Sequence, residues 1–162
     1  LARKIAEKLP DGYMTRLSNG RTFGETLLDP THIYVGFVED CLNAGVDIRY
    51  AVNITGHGWR KLMRATQPFT YVIDTLPGQY VIFDFLQQEG PVELREMYGN
   101  YNMGAGFALY MPEKDVEWVL TRSLNPDYGF HAIRAGRIEK GGKKVMIRPV
   151  GIEFAADTLA VR

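Results

Sequence analysis

Between Ile33 and Ile54 the apolar residues change period once, from helical to two. Ile33, Tyr34, Phe37, Val38, Cys41 and Leu42 fall at helical spacing on one stripe, and Gly45 stands where that helix would end. Val46, Ile48, Tyr50, Val52 and Ile54 then alternate with Asp47, Arg49, Ala51 and Asn53. That alternation marks a strand with one covered face and one face in water. Asp29-Pro30 offers a capping carboxylate followed by proline at a first helical position, so the helix is expected to start there. Gly56 and Gly58 break the strand, and Trp59, Leu62 and Met63 predict a short helix after it. A helix and a strand in direct succession, each with a single apolar face, point to a mixed α and β domain.

The rest of the chain continues the alternation. Phe69 to Ile73 predicts a second strand, and Val81 to Gln88 a helix bounded by Pro77-Gly78 and Gly90-Pro91. Phe107 to Met111 predicts a third strand, and Pro112 opens a helix with Val116, Val119 and Leu120 turned inward and Glu113 and Asp115 in its first turn. From Phe130 to Phe154 the residues suit a strand, a turn at Lys140-Gly141-Gly142-Lys143 and a returning strand through Val145, Ile147 and Ile152. The expected fold is α+β, a single domain over 1–162 with helices on a mixed sheet that ends in a hairpin. Leu1, Ile5 and Leu9 already follow helical spacing with no capping residue before them, so the chain is expected to be part of a longer one.

Composition narrows the function. With 162 residues, 46% of them hydrophobic, the chain can bury one core. Lys plus Arg and Asp plus Glu are both 19, so no overall field draws it to nucleic acid or to an anionic membrane, and any anion must be met by a local site. Cys41 has no partner for a disulfide and is expected to be a buried structural thiol in a reducing, cytoplasmic setting. No apolar run reaches the roughly 18 residues a membrane helix needs, and Arg3, Lys4, Glu7 and Lys8 do not suit a signal peptide. His32, His57 and His131 are too scattered for metal-ligand spacing, so no metal site is expected from this chain. It carries no Ser-His-Asp grouping, phosphate-binding lysine loop or dinucleotide fingerprint.

Two segments are candidates for chemistry. Asn53-Ile54-Thr55-Gly56-His57-Gly58-Trp59-Arg60 runs from a strand end through two glycines into a helix start, a place where backbone amides can meet an anion, and Arg60, Lys61 and Arg64 add positive charge. A plain tight turn is the competing explanation of the same glycines. Asn100-Tyr101-Asn102-Met103-Gly104-Ala105-Gly106 precedes an apolar strand, and its glycines admit either a ligand or a closely packed neighbour. Taken alone, that segment favours packing.

Four segments together resemble one family. Phe23 to Val35 resembles the pattern of a glycine, GEXLL, one residue and PTRIYV; Asn53 to Gly58 resembles HITGGG; Glu96 to Gly106 resembles EMYRTFNMGXGM; and Ala135 to Ile138 resembles IGEI. In this order they resemble the C-terminal domain of aminoimidazole ribonucleotide synthases, the phosphoribosylformylglycinamidine cyclo-ligases. The resemblance implies a three-layer α/β/α domain with partial ferredoxin-like likeness. It also implies an N-terminal domain, absent from this chain, that holds ATP and Mg2+, and a full-length homodimer. Formylglycinamidine ribonucleotide would bind in a cleft between the two domains, where Thr55, Gly56 and Gly58 are expected with Asn102, Met103 and Gly104 beside them. This chain alone is then expected to be inactive.

The chain departs from the family at three positions. Asn53 stands where the family has histidine, His57 where it has glycine, and His32 where PTRIYV has arginine. Asparagine cannot act as a general base near neutrality, so an imidazole's part in this family is lost, moved to His57 or never essential, and Asn53 is expected to position substrate by hydrogen bonds. These changes bring the turn nearer to the DVTGFG of selenophosphate synthetases, a second ATP-using reading. A non-catalytic partner-binding domain of the same fold is the third.

Overall fold

The computed structural model describes residues 1–78 and 80–160. Its strands divide between two sheets. β1 (Tyr50–Asn53) pairs antiparallel with β3 (Phe107–Tyr110), while β2 (Phe69–Ile73), β4 (Gly136–Lys140), β5 (Lys144–Ile147) and β6 (Ile152–Ala155) form a mixed sheet in the order β4-β2-β5-β6. Among the described residues the α-helices are α1 (Ala2–Ala6), α2 (Phe23–Leu27), α3 (Val35–Asn43), α4 (Val81–Glu89), α5 (Leu94–Asn100) and α6 (Glu113–Arg122). The class is α+β.

The mixed sheet corrects the expected hairpin. β4 and β5 do not pair with each other; β2 lies between them, antiparallel to β4 with Tyr71 opposite Ile138, and parallel to β5 with Tyr71 opposite Val145. Burial decides the order. Thr70 to Ile73 are buried on both faces, which suits a central strand, whereas β4 carries Arg137, Glu139 and Lys140 and suits an edge. The Gly141-Gly142 connection crosses the head of β2, where Thr70 Oγ1 donates to the Gly142 carbonyl at 3.0 Å. A Cβ on Gly141 would stand 2.7 Å from that hydroxyl, so glycine is what lets the crossing lie so close. The hairpin is made by β5 and β6, with Ile147 opposite Ile152 and Gly151 at a φ of 66° in the turn.

α3 starts at Val35, five residues later than Asp29-Pro30 suggests. Asp29 is held instead by Arg21, whose two terminal nitrogens reach its oxygens at 2.6 and 2.8 Å. Tyr34 is pinned by rings, stacked on Phe107 with centroids 5.0 Å apart and tilted against Phe130 at 5.1 Å. The buried stripe is accordingly narrower than expected. Phe37 and Cys41 are buried, but Ile33 is 80% exposed and Leu42 56% exposed. Cys41 is fully buried, and burial first, then the nearby Asp40 carboxylate, raises its thiol above the ordinary range.

β1 is shorter than the alternation suggests, yet the faces fall as expected. Val46 and Ile54 are buried, Ile48, Tyr50 and Val52 half-buried, and Asp47, Arg49, Ala51 and Asn53 exposed. β3 is covered on both sides: Ala108 and Tyr110 pack on the core of the mixed sheet, and Leu109 and Met111 on the cluster of Phe37, Cys41, Val46 and Val119. A third cluster joins α1, α2, α4 and α5 through Ile5, Phe23, Leu86 and Met97. Met103 touches this cluster and the sheet core alike, which places the loop before β3 at their seam.

Candidate functional site

The chain leaves β1 at Asn53, turns at Thr55–His57 and enters a 3-10 helix, Gly58–Met63. Asn53 lies opposite Phe107 at the end of the β1–β3 ribbon, and the Ile54 amide continues the pairing by donating to the Gly106 carbonyl at 2.9 Å. The ribbon therefore brings the two candidate segments to one end of the fold.

Side chains bind them more tightly. The Trp59 indole nitrogen donates to the Asn102 carbonyl at 2.8 Å, with Trp59 itself only 2% exposed. Arg60 donates from Nε to the Gly99 carbonyl at 3.0 Å, from a terminal nitrogen to Asn100 Oδ1 at 3.1 Å, and to the Thr158 carbonyl at 3.3 Å. Burial and then the charge of Arg95 hold the Arg60 pKa below its ordinary value. Its guanidinium thus ties the turn to the end of α5 and to the C-terminal region, instead of facing a ligand as sequence suggests.

Gly58 has a structural task. Its φ is 51°, and a Cβ there would stand 2.8 Å from the Gly99 carbonyl carbon and 2.9 Å from the Asn100 nitrogen. Its amide donates to the Thr55 carbonyl at 2.7 Å. In this conformation the bond inside the turn occupies that amide. Gly56 is exposed, and a Cβ on it would meet nothing within 4 Å, so it is the open glycine of the pair.

Thr55 is exposed, and the half-buried Lys61 donates from Nζ to its hydroxyl oxygen. Burial, followed by the charge of Arg64, lowers the Lys61 pKa. His57 is half-buried at a φ of 121° and ψ of 1°, a conformation that suits glycine and strains any residue with a Cβ. His32 packs edge-on to Phe130, with centroids 5.8 Å apart.

In the second segment Asn102 folds on itself: its Oδ1 accepts from the Gly104 amide at 3.1 Å, and its carbonyl accepts from Ala105 at 2.9 Å as well as from Trp59. Met103 and Gly104 follow at φ 46° and 92°. Two tyrosines that sequence reasoning missed cover this loop. A Cβ on Gly104 would stand 2.7 Å from the Tyr80 ring, and one on Gly106 would stand 3.2 Å from Tyr34 Cζ. The signal was present in the glycines, which the loop needs to lie under aromatic rings. Burial first, then Tyr80, raises the Tyr34 pKa.

The arrangement is an open face in which Asn53, Thr55 and Gly56 are exposed and Asn102 to Gly106 half-buried. It offers hydroxyl, amide, ammonium and imidazole groups within one turn, which suits hydrogen bonding to a polar ligand and transfer of a proton. A hollow of about 480 Å³ between α3 and α6, lined by Asp40, Trp118 and Arg122, contains none of the candidate residues. Asp40 there is engaged by Arg122 and Tyr128. Among the described residues no group of three or more His, Cys, Asp or Glu is placed to hold a metal ion, and no helix is long and apolar enough to cross a membrane.

Comparison of the sequence with known proteins finds relatives of the chain. The chain is 35% identical over 141 residues to a phosphoribosylformylglycinamidine cyclo-ligase of Methanococcus maripaludis, an alignment covering 86% of this chain and 40% of that protein. The enzyme of the same name from Methanocaldococcus jannaschii is 35% identical over 83% of this chain and 39% of its own length. That of Methanosarcina acetivorans is 43% identical over 71% of this chain and 34% of its own. No family model matches the chain. The chain is homologous to phosphoribosylformylglycinamidine cyclo-ligases and spans about two fifths of the length of the curated relatives it matches.

Proposed function

We propose that this chain is the C-terminal, substrate-side domain of an ATP-dependent cyclo-ligase that converts formylglycinamidine ribonucleotide to aminoimidazole ribonucleotide in purine biosynthesis. The observation that carries the reading is the joining of two motif-bearing segments: Trp59 and Asn102, 43 positions apart, are hydrogen-bonded, and the segments around them are those that resemble the cyclo-ligases. Homology over 86% of the chain supports it.

Such a reaction transfers the γ-phosphoryl group of ATP to the formyl-derived amide oxygen; a nitrogen then bonds to the amide carbon, the oxygen leaves as phosphate, and the nitrogen loses a proton. Asn53, exposed at the strand end, hydrogen-bonds the substrate amide, and Thr55 and the open Gly56 hold an anionic group of the same substrate beside the turn. His57, kept in a strained conformation where the family has glycine, accepts the proton. Asn102, Met103 and Gly104 form the floor, with Gly58 shaping it from below by close backbone packing. ATP and Mg2+ are assigned, as the resemblance to the cyclo-ligases implies, to an N-terminal domain outside this chain.

The test joins the chain to an ATP-binding N-terminal domain, its own or that of the Methanococcus maripaludis relative, and supplies formylglycinamidine ribonucleotide and ATP. Aminoimidazole ribonucleotide and ADP should form together. The chain alone should make neither. A folded, ATP-binding fusion that forms no aminoimidazole ribonucleotide would remove the reading.

A further inference from the structure

Between Asp47 and Asp74 the chain carries no carboxylate, yet Arg49, Arg60, Lys61 and Arg64 all fall in that interval. In a protein of zero formal net charge this is a local surplus of cations. Arg49 is paired with Asp47. Among the described residues Arg60, Lys61 and Arg64 make no ion pair with a carboxylate, whereas Arg21, Arg122, Arg134 and Arg137 elsewhere on the surface each do.

Arg60 is engaged by backbone carbonyls and Asn100, which leaves Lys61 and Arg64. Lys61 lies on the 3-10 helix and Arg64 caps its C-terminus three positions on, a spacing at which residues face the same way, and their like charges oppose each other. The Lys61 ammonium rests on the Thr55 hydroxyl oxygen. An oxygen that accepts from lysine has its own proton free to turn toward another acceptor. The Lys61 ammonium and the Thr55 hydroxyl thus meet one residue from the exposed Gly56, with Arg64 three positions on and no carboxylate ion pair on either cation among the described residues. Such a set matches a small dianion with several acceptor oxygens.

We infer that Lys61, Arg64 and Thr55 form a binding site for a phosphate monoester dianion. The site stands on the charges and contacts of this chain; that the phosphate belongs to a ribonucleotide substrate rests on the cyclo-ligase reading. The geometry assigns Lys61 a contact with the phosphate oxygens and Arg64 a second, more exposed one.

The probes are inorganic phosphate, ribose 5-phosphate and ATP, titrated into the 162-residue chain at constant ionic strength and followed through backbone amide signals. Phosphate and ribose 5-phosphate should perturb residues 55–64. Lys61→Gln and Arg64→Gln should each weaken binding about tenfold or more, the scale of one lost charge-assisted hydrogen bond. Lys61→Arg should recover most of it, and Arg134→Gln should leave it unchanged. Perturbation by ATP but not by ribose 5-phosphate would overturn the assignment to a phosphate monoester. A folded Lys61→Gln protein that binds all three probes like the wild type would overturn the inference, as would no perturbation of residues 55–64 by any of them. If phosphate binds here and the fused enzyme closes no ring, the site stands and the cyclo-ligase reading falls. Ring closure with unaltered kcat/KM in Lys61→Gln removes the site alone.

Discussion

The indole nitrogen of Trp59 donates a 2.8 Å hydrogen bond to the carbonyl oxygen of Asn102, across the seam between the Asn53–Gly58 turn and the glycine loop. The same carbonyl also accepts from Ala105 at 2.9 Å. Trp59→Phe keeps most of the buried ring and leaves that carbonyl one partner, so it should cost about 1–2 kcal/mol in urea unfolding, near the low end for a buried hydrogen bond. Unchanged stability would mean that the two segments hold together without this bond.

The two glycines of the turn should respond in opposite ways. Gly58→Ala drives a Cβ into the backbone of Tyr98 to Asn100 at a positive φ, and should destabilise by about 3 kcal/mol or more. Gly56→Ala meets open space and should cost less than about 1 kcal/mol in folding. In the fused enzyme it should nonetheless raise KM, since the proposed function puts the substrate in that open space. Equal losses of stability from the two would contradict the close packing described at Gly58.

His57 holds a φ of 121°, which a glycine adopts without strain. His57→Gly should therefore stabilise the chain, by about 1 kcal/mol once the greater freedom of an unfolded glycine is offset. In the fused enzyme the same change should lower kcat. A variant that is both more stable and fully active would show that the imidazole has no part in the reaction.

Phe37→Ala should cost about 3–5 kcal/mol, since the ring is 4% exposed and packs edge-on to Tyr128 and Phe130. Leu42→Ala, on the same helix but 56% exposed, should stay within about 1 kcal/mol of wild type. Thermal or urea unfolding of the pair measures how narrow the buried stripe is.

Periodicity read the faces of this protein better than its connections. The alternation from Val46 to Ile54 gave the correct inward and outward residues, and Gly45 ends its helix at a φ of 80° as its position suggests. The extent of α3 was not legible, because Asp29 is taken by Arg21 and Tyr34 by two aromatic rings, both tertiary contacts that local capping rules do not contain. Nor was the order of the mixed sheet, since Lys140-Gly141-Gly142-Lys143 has the residues of a hairpin turn and crosses over β2 only because the more apolar strand takes the centre. α2 was legible and missed: Thr22 and Glu25 form a capping box, with the Glu25 carboxylate accepting from the Thr22 amide at 2.8 Å. In the candidate site the two motif segments lie together in the fold, while the arrangement inside them, with Gly58 and Arg60 packing, Thr55 exposed and Lys61 half-buried against it, depended on contacts between residues far apart in sequence.

The central claim is that the exposed end of β1 and the turn after it hold the substrate of a ring-closing enzyme. Steady-state turnover of formylglycinamidine ribonucleotide with ATP, by the chain fused to an ATP-binding domain, measures it in Asn53→Ala and Thr55→Ala proteins of unchanged stability. Each should lose about a hundredfold in kcat/KM, the scale of one well-placed polar group. Full kcat/KM in both would contradict the claim and move the site away from this turn.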